Sequence, residues 1–161
     1  MIDINILSEG YLHLLYHSLR AKGKSFNASL STDFDSSVGK MKSLAQKLGR
    51  VILNLINNSF YAASARKQTD TEGYEPLIKL STKCTGDWAA VKIKDYGTGM
   101  PKPVKEKVFQ PFFATKSADQ GSVPVLSISY DIVNAHGGAI LVEGEEGKGT
   151  EFCIRLPIDT Q

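Results

Sequence analysis

The chain is poor in the residues that would assign it quickly. Its 161 residues include two cysteines, Cys84 and Cys153, at a separation that matches no metal-ligand spacing. That excludes a disulfide-stapled scaffold and a cysteine zinc site, and predicts two reduced strand residues. Histidine occurs three times. His13 and His17 stand four apart, as a zinc pair would, but no third ligand accompanies them, so they read as surface residues of a helix. His136, just before Gly137-Gly138, reads as a helix-end residue. No charge of one sign dominates. Against 19 Lys and Arg stand 17 Asp and Glu, and a formal +2 argues for neither nucleic acid nor a membrane as partner. No apolar run approaches the ~20 residues of a membrane span, and no secretory leader opens the sequence. The expected setting is cytoplasmic, with any membrane anchor lying outside this segment. Also missing is Gly-x-x-x-x-Gly-Lys-Ser/Thr, which excludes a P-loop.

What is present is ordinary in amount and ordered in pattern. With 42% hydrophobic and 22% charged residues, the composition is that of a globular protein, and the length suits one domain over 1–161. Leu7, Tyr11, Leu14, Leu15 and Leu19 predict an amphipathic helix over 5–22, with Asp3 or Asn5 as its cap and Gly23 beyond its end. Alternation predicts a strand over 25–33. The longest helix is predicted over 44–66, burying Leu44, Leu48, Val51, Ile52, Leu55, Ile56 and Ala63. Strands over 77–84 and 88–94 flank a hairpin connection at Thr85-Gly86-Asp87. Pro101 and Pro103 precede a short helix at 104–109, and 117–122 reads as a loop. A helix over 126–135 closes at Gly137-Gly138, and a final hairpin pairs 139–143 with 150–156. Hairpin-joined strands with helices grouped between them imply an α+β fold, a two-layer α/β sandwich on a mixed, mostly antiparallel sheet with helices on one face.

Two segments carry chemistry. Asn54 and Asn58 recur at i and i+4, so their carboxamide oxygens share a helix face, and neutral oxygen donors beside phosphates suit Mg²⁺. Asp95 ends a strand and is followed by Gly97 and Gly99. An ionised carboxylate only accepts hydrogen bonds, which matches the amino group of adenine, and the glycines let backbone pass close to a ligand. By itself Asp-x-Gly-x-Gly is as readily a turn. Phe109-Gln110-Pro111-Phe112-Phe113-Ala114-Thr115-Lys116 adds aromatics that could anchor a flap and a lysine able to reach phosphate.

Taken in order, these segments resemble the catalytic ATP-binding domain of a sensor histidine kinase, of the GHKL ATPase superfamily. Residues 50–59, Arg-Val-Ile-Leu-Asn-Leu-Ile-Asn-Asn-Ser, are similar to its N box. Asp95-Tyr96-Gly97-Thr98-Gly99 is similar to its first glycine box, and Val108-Phe109-Gln110-Pro111-Phe112-Phe113 to its F box. The helix from Leu126 to Gly138 resembles the one after the second glycine box, and Gly147-Lys148-Gly149-Thr150-Glu151-Phe152 the closing Gly-x-Gly-Thr-x-Phe. The resemblance implies ATP and Mg²⁺ as cofactors, with Asn58 the metal ligand and Asn54 at the phosphates. It implies that Asp95 binds the adenine amino group, that Gly97 and Gly99 shape the base pocket, and that Thr150 supports Asp95. Phe113, Lys116, Gly121 and Leu126 complete the nucleotide contacts, with Lys116 in the lid and, like Asn54, catalytic. The implied reaction transfers the γ-phosphoryl group to a histidine on a separate dimerisation domain of the same parent, with a response regulator as indirect partner.

The resemblance breaks at the second glycine box. Where the family has Gly-Thr-Gly-Leu-Gly-Leu-Ser, this chain has Gly121-Ser122-Val123-Pro124-Val125-Leu126-Ser127. Two valines replace glycines and a proline removes an amide donor, which predicts weak grip on a triphosphate. A degenerate nucleotide-binding or docking module is therefore the alternative expectation. His17-Ser18-Leu19-Arg20 is not an acceptor box, so the chain is not expected to phosphorylate itself. Chaperone, mismatch-repair, topoisomerase and anti-sigma ATPases share the superfamily, but the F box and first helix resemble the sensor-kinase branch.

Overall fold

The computed structural model describes residues 2–22, 29–38, 40–41, 45–69, 77–97, 99, 102, 126–145 and 147–157. Strand β1 (Ile2–Asp3) runs straight into helix α1 (Ile4–Lys22) and pairs antiparallel with β3 (Lys40–Met41). Neither two-residue strand was legible in the alternation, which needs four residues or more to register. Strand β2 (Ser29–Asp33) and a 3-10 turn (Ser36–Val38) precede helix α2 (Ala45–Thr69). Then come β4 (Leu77–Thr85), β5 (Trp88–Asp95), helix α3 (Leu126–Ala135), β6 (Ala139–Glu145) and β7 (Gly149–Pro157). The expected short helix at 104–109 and loop at 117–122 lie outside the described residues.

The main sheet has the order β2-β4-β5-β7-β6. Strands β2 and β4 pair in parallel, and the other three pairs are antiparallel. Parallel neighbours need a long crossover, which α2 supplies; β4 and β5 need only the turn at Gly86-Asp87. The mixed, mostly antiparallel sandwich read from the sequence is the observed architecture.

Alternation sorts each central strand into two faces. Ile78, Leu80 and Thr82 of β4, Ala89, Val91, Ile93 and Asp95 of β5, and Thr150, Phe152, Ile154 and Leu156 of β7 point inward. Lys83, Lys92 and Arg155 face out into water. The inner face packs on α2, whose Val51, Ile52, Leu55, Ile56, Phe60 and Ala63 are buried. Burying side chains of this size contributes about 1.5–3 kcal/mol each, so this contact dominates the core.

Helix α1 lies on α2, with Tyr16 against Phe60 at 6.1 Å between ring centroids. Leu7, Tyr11 and Leu15 of the expected stripe pack against the core, but they are its margin and not its centre. Ile4, Ser8 and Leu12 are fully buried while Leu14 is 61% exposed. The period of an amphipathic helix is visible in sequence, but the line it buries is chosen by its neighbour. Asn5 does not cap α1. Its Nδ2 donates to the Asp35 carbonyl at 3.0 Å, and its Oδ1 accepts from Thr82 Oγ1 at 2.7 Å. The Asp35 amide donates to Thr82 Oγ1 at 3.0 Å, and its carboxylate accepts the Cys84 amide at 2.8 Å. This network ties the start of α1 to β4. Helix α3 ends as expected, with the Gly138 amide donating to the Val133 carbonyl at 3.0 Å and the Gly137 amide to that of Asn134 at 3.0 Å.

Candidate nucleotide site

The register that buries Val91 and Ile93 also buries Asp95, the last inward residue of β5. Its carboxylate is half satisfied. Oδ1 accepts the Gly97 amide at 2.9 Å, whereas Oδ2 is buried with no hydrogen-bond partner among the described residues. Thr150 sits directly opposite on β7 and is itself buried. Burial pushes the Asp95 carboxyl up to about 7; the amides of Gly97 and Thr150 and the Ser59 hydroxyl pull the other way. Ser59 Oγ lies near enough to favour the ionised form but closes no hydrogen bond of good geometry. An unpartnered carboxylate oxygen inside a fold is costly. It fits a ligand that brings its own donor, as the amino group of adenine does.

Two glycines make room for this arrangement. A Cβ on Gly97 would stand 2.5 Å from the backbone carbonyl carbon and oxygen of Ala62, so the turn after β5 presses on α2 itself. A Cβ on Gly149, at φ +116°, would stand 2.2 Å from the Asp95 carbonyl oxygen. Gly99 has φ +72°, which side chains resist. The glycines following Asp95 therefore hold the chain where a base could lie against it.

Helix α2 brings the asparagines to the same region. Asn54, Asn58 and Ala62 succeed one another at four-residue steps on one line of the helix. Because Ala62 meets Gly97, Asn58 lies about one turn (~5.4 Å) back from that contact. Asn58 is 6% exposed, Asn54 half-buried, and Ser59 buried between α2 and the sheet. Leu126 opens α3, as its place after the second glycine box requires. Phe113, Lys116 and Gly121 lie outside the described residues.

Sequence reasoning missed Ser59 and the steric role of Gly149. Ser59 had a signal, a small hydroxyl in an otherwise apolar line of α2. Gly149 stood in a quoted motif without a role. The readings of the other sparse residues hold: Cys84 and Cys153 are free, and His136 Nδ1 lies 2.8 Å from the Ile132 carbonyl oxygen at the end of α3. His13 and His17 stack at 6.5 Å on the exposed face of α1. No cluster of metal-binding side chains occurs among the described residues, and no helix there is long and apolar enough to cross a membrane.

The family model for histidine kinase-, DNA gyrase B- and HSP90-like ATPases matches residues 43–160. AtoS, a signal transduction histidine-protein kinase of Escherichia coli, is 29% identical over 161 residues, 99% of this chain and 24% of AtoS. The sensor kinase CckA of Brucella abortus is 45% identical over 71 residues, 44% of this chain and 8% of CckA. Among solved structures, the nucleotide-free catalytic domain of histidine kinase ThkA superposes with a TM-score of 0.79 at 26% identity, covering 98% of this chain and 93% of that one. The chain belongs to the family of histidine kinase-, DNA gyrase B- and HSP90-like ATPases, as an ATP-binding catalytic domain of the sensor histidine kinase type. The docking-module alternative is not favoured by these matches. The chain spans less than a quarter of the length of AtoS and of CckA.

Proposed function

We propose that residues 1–161 act as one cytoplasmic domain that holds Mg²⁺-ATP for phosphoryl transfer to a histidine on a dimerisation domain elsewhere in its parent protein, which then serves a response regulator. The observation that carries the base-binding part is the buried Oδ2 of Asp95, unpartnered among the described residues while Oδ1 accepts the Gly97 amide. Asp95 accepts from the adenine amino group, Gly97 and Gly99 bound the base, and Thr150 supports the carboxylate from β7. Asn58 supplies an oxygen ligand to Mg²⁺, and Asn54, one turn earlier on α2, faces the phosphates. Phe113, Lys116, Gly121 and Leu126 complete the nucleotide contacts, with Lys116 and Asn54 acting on the transferred group. Bound Mg²⁺ neutralises phosphate charge, so the protein's part is positioning and donor placement. A neutral carboxamide oxygen such as that of Asn58 would suit Mg²⁺, which takes hard oxygen donors.

Isothermal titration with ADP tests the reading. Asp95→Ala removes a hydrogen bond to a charged group, about 1.5–3 kcal/mol, and is expected to weaken ADP roughly ten-fold or more. An unchanged affinity would remove Asp95 from base recognition.

A further inference from the structure

Opposite the face that packs on α2, the main sheet presents the other set of alternate residues, and register gathers four of them around Ala90 of β5. Lys83 of β4 and Arg155 of β7 are its direct cross-strand neighbours, and Trp88 and Lys92 stand two residues before and after it on β5. Neighbouring strands lie about 4.8 Å apart, so Lys83 and Arg155 flank the alanine from positions roughly 10 Å apart. Ala90 is half-buried, while the four around it are exposed, Trp88 by 45%. The result is a small apolar floor walled by three cations and one indole.

Among the described residues, no carboxylate forms an ion pair with Lys83, Lys92 or Arg155. Asp35 acts on Lys83 from a distance, but its two oxygens are taken by the Ser37 and Cys84 amides. Lys92 and Arg155 both lie close to the Cys153 thiol, so these two cations converge on the β7 side of the floor. Further along the strands the charges are mixed. Lys94 stands between Lys79 and Glu151, and Glu151 faces Glu143. The unbalanced positive charge is therefore confined to the surroundings of Ala90.

We propose that this patch docks an acidic protein segment, its carboxylates on Lys83, Lys92 and Arg155 and an apolar side chain on Trp88. Exposed Trp and Arg are the residue types that anchor protein interfaces. The edges of the patch choose this occupant over a polyanion. Asp33 on β2 lies to one side, and Glu151 and Glu143 on β7 and β6 lie to the other. A membrane plane or a nucleic-acid backbone would press phosphates against these carboxylates. One indole also offers no succession of platforms on which bases could stack. A protein segment can set its acids over the cations alone, which is how charge complementarity selects a partner.

Trp88 is the chain's only tryptophan, so its fluorescence reports on this face directly. The probe is a short, labelled peptide of Asp and Glu with one Phe and no Trp, added to the whole chain. Label anisotropy is expected to rise, Trp88 emission to shift to the blue, and both to reverse between about 0.01 and about 0.5 M salt, as screening shortens. Lys83→Gln, Lys92→Gln and Arg155→Gln together are expected to weaken the peptide roughly ten-fold or more, at an unchanged urea midpoint because all three are exposed. No binding overturns the proposal, as does binding that leaves Trp88 emission where it was. Tighter binding of a single-stranded DNA oligonucleotide, or of vesicles of phosphatidylserine and phosphatidylcholine in equal parts, overturns it in favour of a polyanion. The salt series and the probe comparison use the unaltered chain, so a poorly folded variant cannot leave the question open.

Discussion

Gly97 rests on the backbone of Ala62, with no space between them for a side chain. That contact joins the turn after β5 to the helix that carries Asn54 and Asn58, and so fixes one half of the proposed nucleotide site against the other. Substituting Gly97→Ala would drive a methyl group to 2.5 Å from the Ala62 carbonyl, where neither backbone has a rotamer to yield. Overpacking of this kind costs about 1–3 kcal/mol. Urea denaturation should show that loss together with weakened ADP binding; a fully stable Gly97→Ala domain would mean that the turn moves away from α2 freely.

The Asp95 carboxyl makes the free domain sensitive to pH in an unusual direction. Its proton is held more tightly in the folded state, with the carboxyl raised from 3.8 to about 7. The stabilisation this provides is complete below pH 3.8 and is lost as pH rises through about 7, after which stability is level. At 1.36 kcal/mol per unit the full span is at most about 4 kcal/mol. Asp35 has the opposite sign. The Ser37 hydroxyl and the Cys84 and Ser37 amides hold its carboxyl low, so its contribution is lost as pH falls. Urea midpoints of the nucleotide-free domain should decline from about pH 5 to about pH 8, and Asp95→Asn should flatten that decline. An unaltered slope in Asp95→Asn would assign the effect elsewhere.

Asn58 and Asn57 are neighbours in sequence but about 100° apart around α2. Asn58→Ala is expected to abolish the Mg²⁺ dependence of nucleotide binding and to leave the helix intact, since Ala is the better helix former. Asn57→Ala should retain the metal effect. Titrations with and without Mg²⁺ on both variants distinguish them, and equal effects would place the metal on another face.

Val123, Pro124 and Val125 carry an expectation that rests on sequence alone. Losing one or two charge-assisted bonds to phosphate, each ~1.5–3 kcal/mol, should leave ATP binding little tighter than ADP. Restoring Val123→Gly, Pro124→Leu and Val125→Gly together is expected to strengthen ATP by ten-fold or more without changing ADP in like measure. Micromolar ATP affinity in the unaltered chain would defeat this reading of the lid.

The amino-acid sequence by itself determined the sandwich, because hydrophobic period is a local property. Val51, Ile52, Leu55 and Ile56 declare a helix face and Ala89, Val91 and Ile93 a strand face wherever they are met. It also determined which residues could read a base or hold a metal, since Asp95 and Asn58 carry that chemistry in their side chains. Tertiary structure decided the rest. That Leu14 is exposed while Ile4, Ser8 and Leu12 are buried depends on how α1 lies on α2. That Asn5 serves Asp35 and Thr82 rather than its own helix end depends on bonds spanning 30 and 77 residues. That Ser59 faces Asp95, and that Gly97 and Gly149 admit no side chain, depends on backbones brought together across the sheet. Most of all, the free oxygen of Asp95 is a statement about what surrounds it. A carboxylate in a sequence is an acceptor in water; burial, with Oδ1 on the Gly97 amide and Oδ2 unpartnered among the described residues, turns it into an acceptor that a ligand's donor could satisfy.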